Sequence, residues 1–126
     1  MAVVDSTSGS ASEVLARVLQ LEKRGTIVGD RTAGAVMTAR TFRHTVGLGS
    51  VALYAVSVTV GDLRMSDGGT LEGTGVTPDH LVLPTAADLV AGRDPALARA
   101  VTLLGGSMTA EQAGQLYRSG SSRDPR

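Results

Sequence analysis

The chain has 126 residues, with 12 basic side chains balanced by 12 acidic ones and no cysteine. That length suits one modest domain. The neutral balance leaves no electrostatic footprint for nucleic acid or an anionic membrane surface. The lack of cysteine excludes disulfides, thiolate metal sites and a cysteine nucleophile. No uninterrupted apolar run is long enough to cross a bilayer, and no signal-like segment opens the chain. Apolar residues make up 42%, but Phe42, Tyr54 and Tyr117 are the only aromatics. The core must therefore be built from Val, Leu and Ala, which bury less area each than rings.

In chain order, Ala2 to Asp5 reads as a short buried strand, followed by a Ser/Gly turn. Ala11, Val14, Leu15, Val18 and Leu19 then recur at helical spacing, which predicts a helix with that stripe as its buried face. Ser10 falls at the helix N-terminus, where unpaired N–H groups and the helix dipole favour negative charge. A serine there is able to attack a carbonyl while a neighbouring N–H receives the oxyanion. The same residues, Ser10-Ala11-Ser12-Glu13, also match the capping box, and on spacing alone the plain cap is the commoner outcome.

Gly25 is expected to end the helix, and Thr26-Ile27-Val28 to form a second buried strand. Strand, helix and strand in succession predict a parallel crossover and an α/β fold. Asp30 to Gly34 is a loop at the strand's C-terminal end. Val36 to Val46 and Ser50 to Val60 read as extended segments of a hairpin-like excursion, with Tyr54, Val56, Val58 and Val60 on a half-buried face. Gly61-Asp62 is a turn signal, and Leu63 to Met65 a short strand. A glycine-punctuated loop, Gly73 to Pro78, leads into the strand His80 to Leu83. Thr85 is placed to cap a short helix, and Asp94-Pro95 to cap and open another, which Gly105-Gly106 stops. A last, loosely attached helix is expected over Thr109 to Arg118, with a polar tail from Ser119 to Arg126.

Three blocks in this order resemble the C-terminal part of the protease core of tail-specific, or C-terminal-processing, serine peptidases. They are Val4 to Ala16, containing S-A-S-E; Arg24 to Gly34, containing T-I-V-G-D-R-T-A-G; and Asp67 to Asp79, followed by Asp88-Leu89 and Gly92 to Pro95. The likeness runs from Val4 to about Leu104. It implies a crotonase-like layered α/β core, here the C-terminal portion with a β-hairpin excursion. It divides the chain into a partial core domain at 1–106 and a C-terminal helix and polar tail at 107–126. It implies Ser10 as nucleophile, the Ala11 N–H as an oxyanion donor, a peptide or protein substrate, and no cofactor or metal. Relatives are commonly periplasmic or extracellular, although this chain carries no signal peptide.

Many members place a catalytic lysine just after the T-x-G loop; here that position is Ala35. Lys23, the only lysine, lies on the same helix as Ser10 and about 20 Å along it, beyond a side chain's reach. The Thr32-Ala33-Gly34-Ala35 form is similar instead to the branch containing the tricorn core and the retinoid-binding repeats. That branch implies a histidine from earlier sequence, oriented by a glutamate that matches Glu72. The second oxyanion donor would also come from an upstream half of the domain. The expectation is a chain inactive by itself or, as the alternative, a dead peptide- or ligand-binding module of the same fold.

Other candidates carry less. Glu72 reads equally as a solvated loop residue. His44 is a weak candidate for a general base at Ser10 and His80 a weaker one, an exposed or structural histidine being the commoner outcome; the two lie 36 positions apart, without ligand spacing for a metal. The glycines at 68, 69, 73 and 75 lack the lysine and strand-to-helix setting of a phosphate loop, so turn geometry explains them better. Oligomeric state has no signal in the sequence.

Overall fold

The computed structural model describes residues 1–47 and 50–120. The elements are β1 (Ala2–Val4), α1 (Ala11–Leu21), β2 (Ile27–Gly29), β3 (Met37–Val46), β4 (Ala52–Asp62), β5 (His80–Leu81), α2 (Ala86–Ala91), α3 (Pro95–Leu103) and α4 (Ala110–Gly120). The fold is mixed α/β. A parallel sheet has the order β1-β2-β5, and β3 and β4 form a separate antiparallel ribbon.

β2 is central and buried at every residue, which is why Ile27-Val28 reads as a continuous apolar run rather than an alternation. Ile27 joins Val4, Ala16, Val36, Met65, Leu71 and Val76 in the core beneath α1. Val28 points to the opposite face of the same strand, and α3 packs against β2 and β1. At the start of β2 the Asp79 carboxylate accepts the Ile27 N–H at 2.7 Å and also a Gln20 Nε2 donor at 3.0 Å. That bond explains the Pro78-Asp79 pair, since it satisfies the first amide of the central strand.

Several expectations are corrected. Leu15 and Val18 are 59% and 41% exposed, whereas Glu13 and Ala16 are the buried residues of α1. The helix turns a narrower strip inward than its apolar stripe suggests, centred on small Ala16. It ends at Glu22, with Lys23 rather than Gly25 in the left-handed region, at φ 51°. β4 continues through Gly61-Asp62, where a turn was expected, because Met37 and Thr38 pair with those two residues. Leu63 to Met65 contributes only an isolated bridge, Arg64 to Thr70. β5 is two residues long, although the Val82 N–H still reaches the Gly29 carbonyl at 2.8 Å.

Every residue of β3 and all but one of β4 are exposed, so the face of Tyr54, Val56, Val58 and Val60 is not half-buried. Alternation reports that one face is apolar; it does not supply an element to cover it.

The caps behave as expected. Thr85 caps α2 through Asp88, and Asp94 caps α3 with Pro95 in its first turn. α4 is more firmly held than expected. Ala113 is fully buried, the Asp94 N–H donates to the Ala110 carbonyl at 2.9 Å, and a Cβ on Gly114 would fall 1.9 Å from the Gly92 carbonyl oxygen. The helix extends through Gly120; the rest of the expected tail lies outside the described residues.

Candidate functional site

The segment from β1 to α1 is pinned at each step. The Asp5 carboxylate accepts both the amide and the hydroxyl of Thr7 and of Ser8, at 2.7–3.0 Å. The Thr7 hydroxyl foremost holds the Asp5 carboxyl below its ordinary pKa, against the opposing effect of partial burial. Ser12 Oγ donates to the Gly9 carbonyl at 2.7 Å. Between these anchors Ser10 adopts φ 58°, ψ −124°, a combination that a residue with a Cβ holds only when its surroundings enforce it, at a cost of about 1–3 kcal/mol.

Ser10 is exposed and its hydroxyl makes no side-chain cap bond. The Glu13 N–H goes to the Ser10 backbone carbonyl instead, at 3.0 Å. The capping-box arrangement expected of this motif is present, and in its reverse half the Ser10 N–H donates to Glu13 Oε2 at 3.1 Å. Next to it, Ala11 opens α1, and its amide is among the first-turn N–H groups without an intrahelical acceptor.

The loop after β2 meets this turn directly. The Ser10 N–H also donates to the Ala35 carbonyl at 2.9 Å, and the Ala33 N–H to the Ser8 carbonyl at 2.9 Å. One residue on, the Val36 N–H donates to Glu72 Oε2 at 2.7 Å. The fold thus gathers Ser10 and Ala11, Ala35, and Glu72 from three separate stretches of sequence. Glu72 is half-buried, and its side chain is directed by this bond rather than free in solvent. Its own loop is tied down by Gly73 N–H to the Gly34 carbonyl, Arg31 Nε to the Thr74 carbonyl and Val76 N–H to Thr32 Oγ1. Gly75 is required here: at φ 65°, a Cβ would lie 2.4 Å from the Thr32 carbonyl oxygen.

A cleft of about 380 Å³ opens beside Ser10, walled by Ala11, Val14, Val36, Met37, Thr38 and Leu63. Its walls carry no basic or acidic side chain. A larger cavity of about 600 Å³ lies between the ends of β1 and β2 and the α2–α3 junction, against Val4, Asp5, Asp30, Pro84 and Arg93; Ser10 does not line it.

Neither histidine reaches the serine. His44 stacks on Tyr54 at a centroid distance of 5.3 Å, seven residues up β3 from Met37 and so about 24 Å along the strand. His80 starts β5, beside Gln20, Lys23 and Arg24, at the end of the parallel sheet opposite the serine turn. Lys23 lies past the far end of α1. Among the described residues no group of His, Cys, Asp or Glu could hold a metal ion, and no helix is long and apolar enough to cross a membrane.

Sequence reasoning missed the role of Glu13. It is completely buried and binds at both oxygens: Thr32 Oγ1 (2.5 Å) and Gly34 N–H (2.7 Å) donate to Oε1, and Ala35 N–H (2.9 Å) and Ser10 N–H (3.1 Å) to Oε2. Burial raises its pKa, yet the donors, Thr32 first and then Ala35, Gly34 and Ser10, outweigh that and leave it below the ordinary glutamate value. The signal available was the position of Glu13 on the helix, off the apolar stripe yet inside a motif block.

Residues 1–82 match the profile of peptidase family S41. A putative tricorn protease homolog 2 of Streptomyces coelicolor is 35% identical over 103 residues, which are 82% of this chain and 8% of that protein. Among solved structures, photosystem II D1 C-terminal processing protease is 34% identical, with a TM-score of 0.45 over 64% of this chain and 19% of that one. The chain therefore spans a small part of each of these relatives.

Proposed function

The chain belongs to peptidase family S41, and from that premise we propose that it carries the nucleophile half of a serine-peptidase site acting on peptides or proteins. Ser10 attacks the scissile carbonyl, and the Ala11 N–H at the mouth of α1 stabilises the oxyanion. Glu72 orients the base that takes the Ser10 proton and later delivers it to the leaving amine. The observation that carries this reading is the exposed Ser10 held at φ 58°, ψ −124° beside a cleft, since strain of this kind is retained at sites where geometry is part of the mechanism.

The base and a second oxyanion donor come from polypeptide beyond these 126 residues. Ala35 stands against Ser10 where the Ser-Lys branch has its lysine, so we place the chain with the tricorn core and the retinoid-binding repeats. In this reading residues 1–106 are part of a crotonase-like layered core, and 107–126 an appended C-terminal segment.

A fluorophosphonate probe tests this. In the polypeptide context that supplies the base, Ser10 becomes labelled and Ser10→Ala abolishes labelling, while the 126-residue chain alone hydrolyses no peptide. Ser10-dependent turnover by the chain alone overturns the external base. No labelling, together with saturable peptide binding that Ser10→Ala leaves intact, supports the second reading, a binding module. That reading is favoured by one observation, a cleft with no titratable side chain on its walls.

A further inference from the structure

We propose that Glu13 is the positioning residue of the nucleophile turn: its ionised carboxylate, shared between the Ser10 amide and the 32–35 loop, holds Ser10 in its positive-φ conformation. The proposal rests on reading Ser10 as the nucleophile, but its geometry does not.

A capping box needs one bond from Glu13, to the Ser10 amide. Three further bonds go to Thr32, Gly34 and Ala35, which are 19 to 22 residues away in sequence. They are not helix capping. They join the helix start to the loop whose Ala35 carbonyl accepts the Ser10 N–H and whose Val36 N–H fixes Glu72. One side chain thus connects the strained residue, the position facing it and, through Val36, the orienting carboxylate.

Three of the four partners are backbone N–H groups, which only donate, and the Thr32 hydroxyl donates as well, so the site favours the charged acid. A protonated carboxyl would turn its own hydrogen toward one of them. Ser10 cannot relax its φ without carrying its amide away from Glu13 Oε2 and the Ala35 carbonyl together. Other ionisable groups reach the same loops but bind elsewhere: Glu72 takes the Val36 N–H, Arg31 donates to the Thr74 carbonyl, and Asp5 binds Thr7 and Ser8. Among the described residues, no salt bridge involves Glu13. Its depressed pKa keeps the clamp closed at neutral pH and lets it open in acid.

The test is ¹⁵N NMR of the 126-residue chain, wild type and Glu13→Gln, titrated from neutral pH into the acid range. The amide signals of Ser10, Gly34 and Ala35 should move together through one transition below the ordinary glutamate range. In the wild type the strong intraresidue HN–Hα NOE of Ser10, the signature of its positive φ, should be lost across that transition. In Glu13→Gln the transition should be absent and the signature already lost at neutral pH.

A folded Gln variant that keeps the positive φ at Ser10 overturns the proposal, as do three amides that titrate separately. If Glu13→Gln does not fold, the wild-type titration decides alone. If acid unfolds the wild type first, the variant at neutral pH decides. In the polypeptide context that is labelled by fluorophosphonate, Glu13→Gln should slow labelling at least tenfold, and Glu13→Asp, which is too short to bridge both sides, should not restore it. Absence of labelling in the wild type counts against the serine-peptidase reading and leaves the NMR result on the clamp standing.

Discussion

The serine turn and the β3–β4 ribbon are held by opposite means. Around Ser10 the chain has little regular structure, yet polar bonds, buried at Glu13 and Thr32, define nearly every backbone direction: Asp5 below, Glu13 within, Thr32 and Glu72 across. The ribbon has ideal regularity, with paired register from Met37–Asp62 to Val46–Ala52 broken by one irregularity at Thr38/Ala39, and almost nothing packed on it. Regular hydrogen bonding does not by itself make rigid structure, since an isolated two-stranded ribbon is marginal in water. Irregular backbone becomes precise when each of its polar groups has one buried partner. The two regions meet at Val36 and Met37, which line the cleft and lead into β3.

Substitutions should separate them sharply. Glu13→Ala leaves three donors, the Thr32 hydroxyl and the Gly34 and Ala35 N–H groups, without an acceptor, while the Ser10 N–H keeps the Ala35 carbonyl; each that stays buried costs about 1–3 kcal/mol. The variant should therefore lose at least about 3 kcal/mol in urea unfolding; a loss under about 1 kcal/mol would erase the distinction drawn here. Gly75→Ala drives a Cβ to within 2.4 Å of the Thr32 carbonyl at a positive φ and should cost about 2 kcal/mol by the same measurement.

Stability against pH sharpens the contrast further. The Glu13 carboxyl has a folded pKa below its unfolded one. Its contribution is therefore complete above the ordinary glutamate value and disappears as pH falls through the lower folded value. Unfolding free energies measured from neutral to acid should show this slope, and Glu13→Gln should flatten it. Asp88 adds a step of the same sign. Bonds from Thr85, then Arg93, lower its pKa to about 2, so its effect fades between the ordinary aspartate range and about 2, and Asp88→Asn removes it. Smallest of all, Val56→Thr and Val58→Thr on the open ribbon should change stability by no more than about 0.5 kcal/mol and leave the Ser10 amide signal in place.

What could be read in advance follows the range of the interactions. Thr85 with Asp88, and Asp94 with Pro95, are local signals, and both helices start where those residues place them. The two halves of the ribbon were legible as extended segments because alternation is also local. Its exposure was not, because Tyr54, Val56 and Val58 carry the same pattern whether or not another layer lies on them. Leu15 and Val18 misled for the same reason: a helical stripe marks a face, while the width that is covered depends on the partner. Ser10 at the helix start was legible, but its backbone strain was not, because the strain is imposed by residues 13 and 35 across a fold-dependent contact. Glu13 looked like a cap because three of its four partners lie far away in sequence.

The most direct test of the account is a crystal structure, in the polypeptide context that supplies the base, with a peptide boronic acid, which forms a tetrahedral adduct with an activated serine without needing turnover. The account predicts boron bonded to Ser10 Oγ, one boronate oxygen accepting the Ala11 N–H, the peptide in the cleft between Val36 and Leu63, and no adduct in Ser10→Ala. A boronate bound elsewhere, or an adduct that persists without the Ser10 hydroxyl, would contradict it.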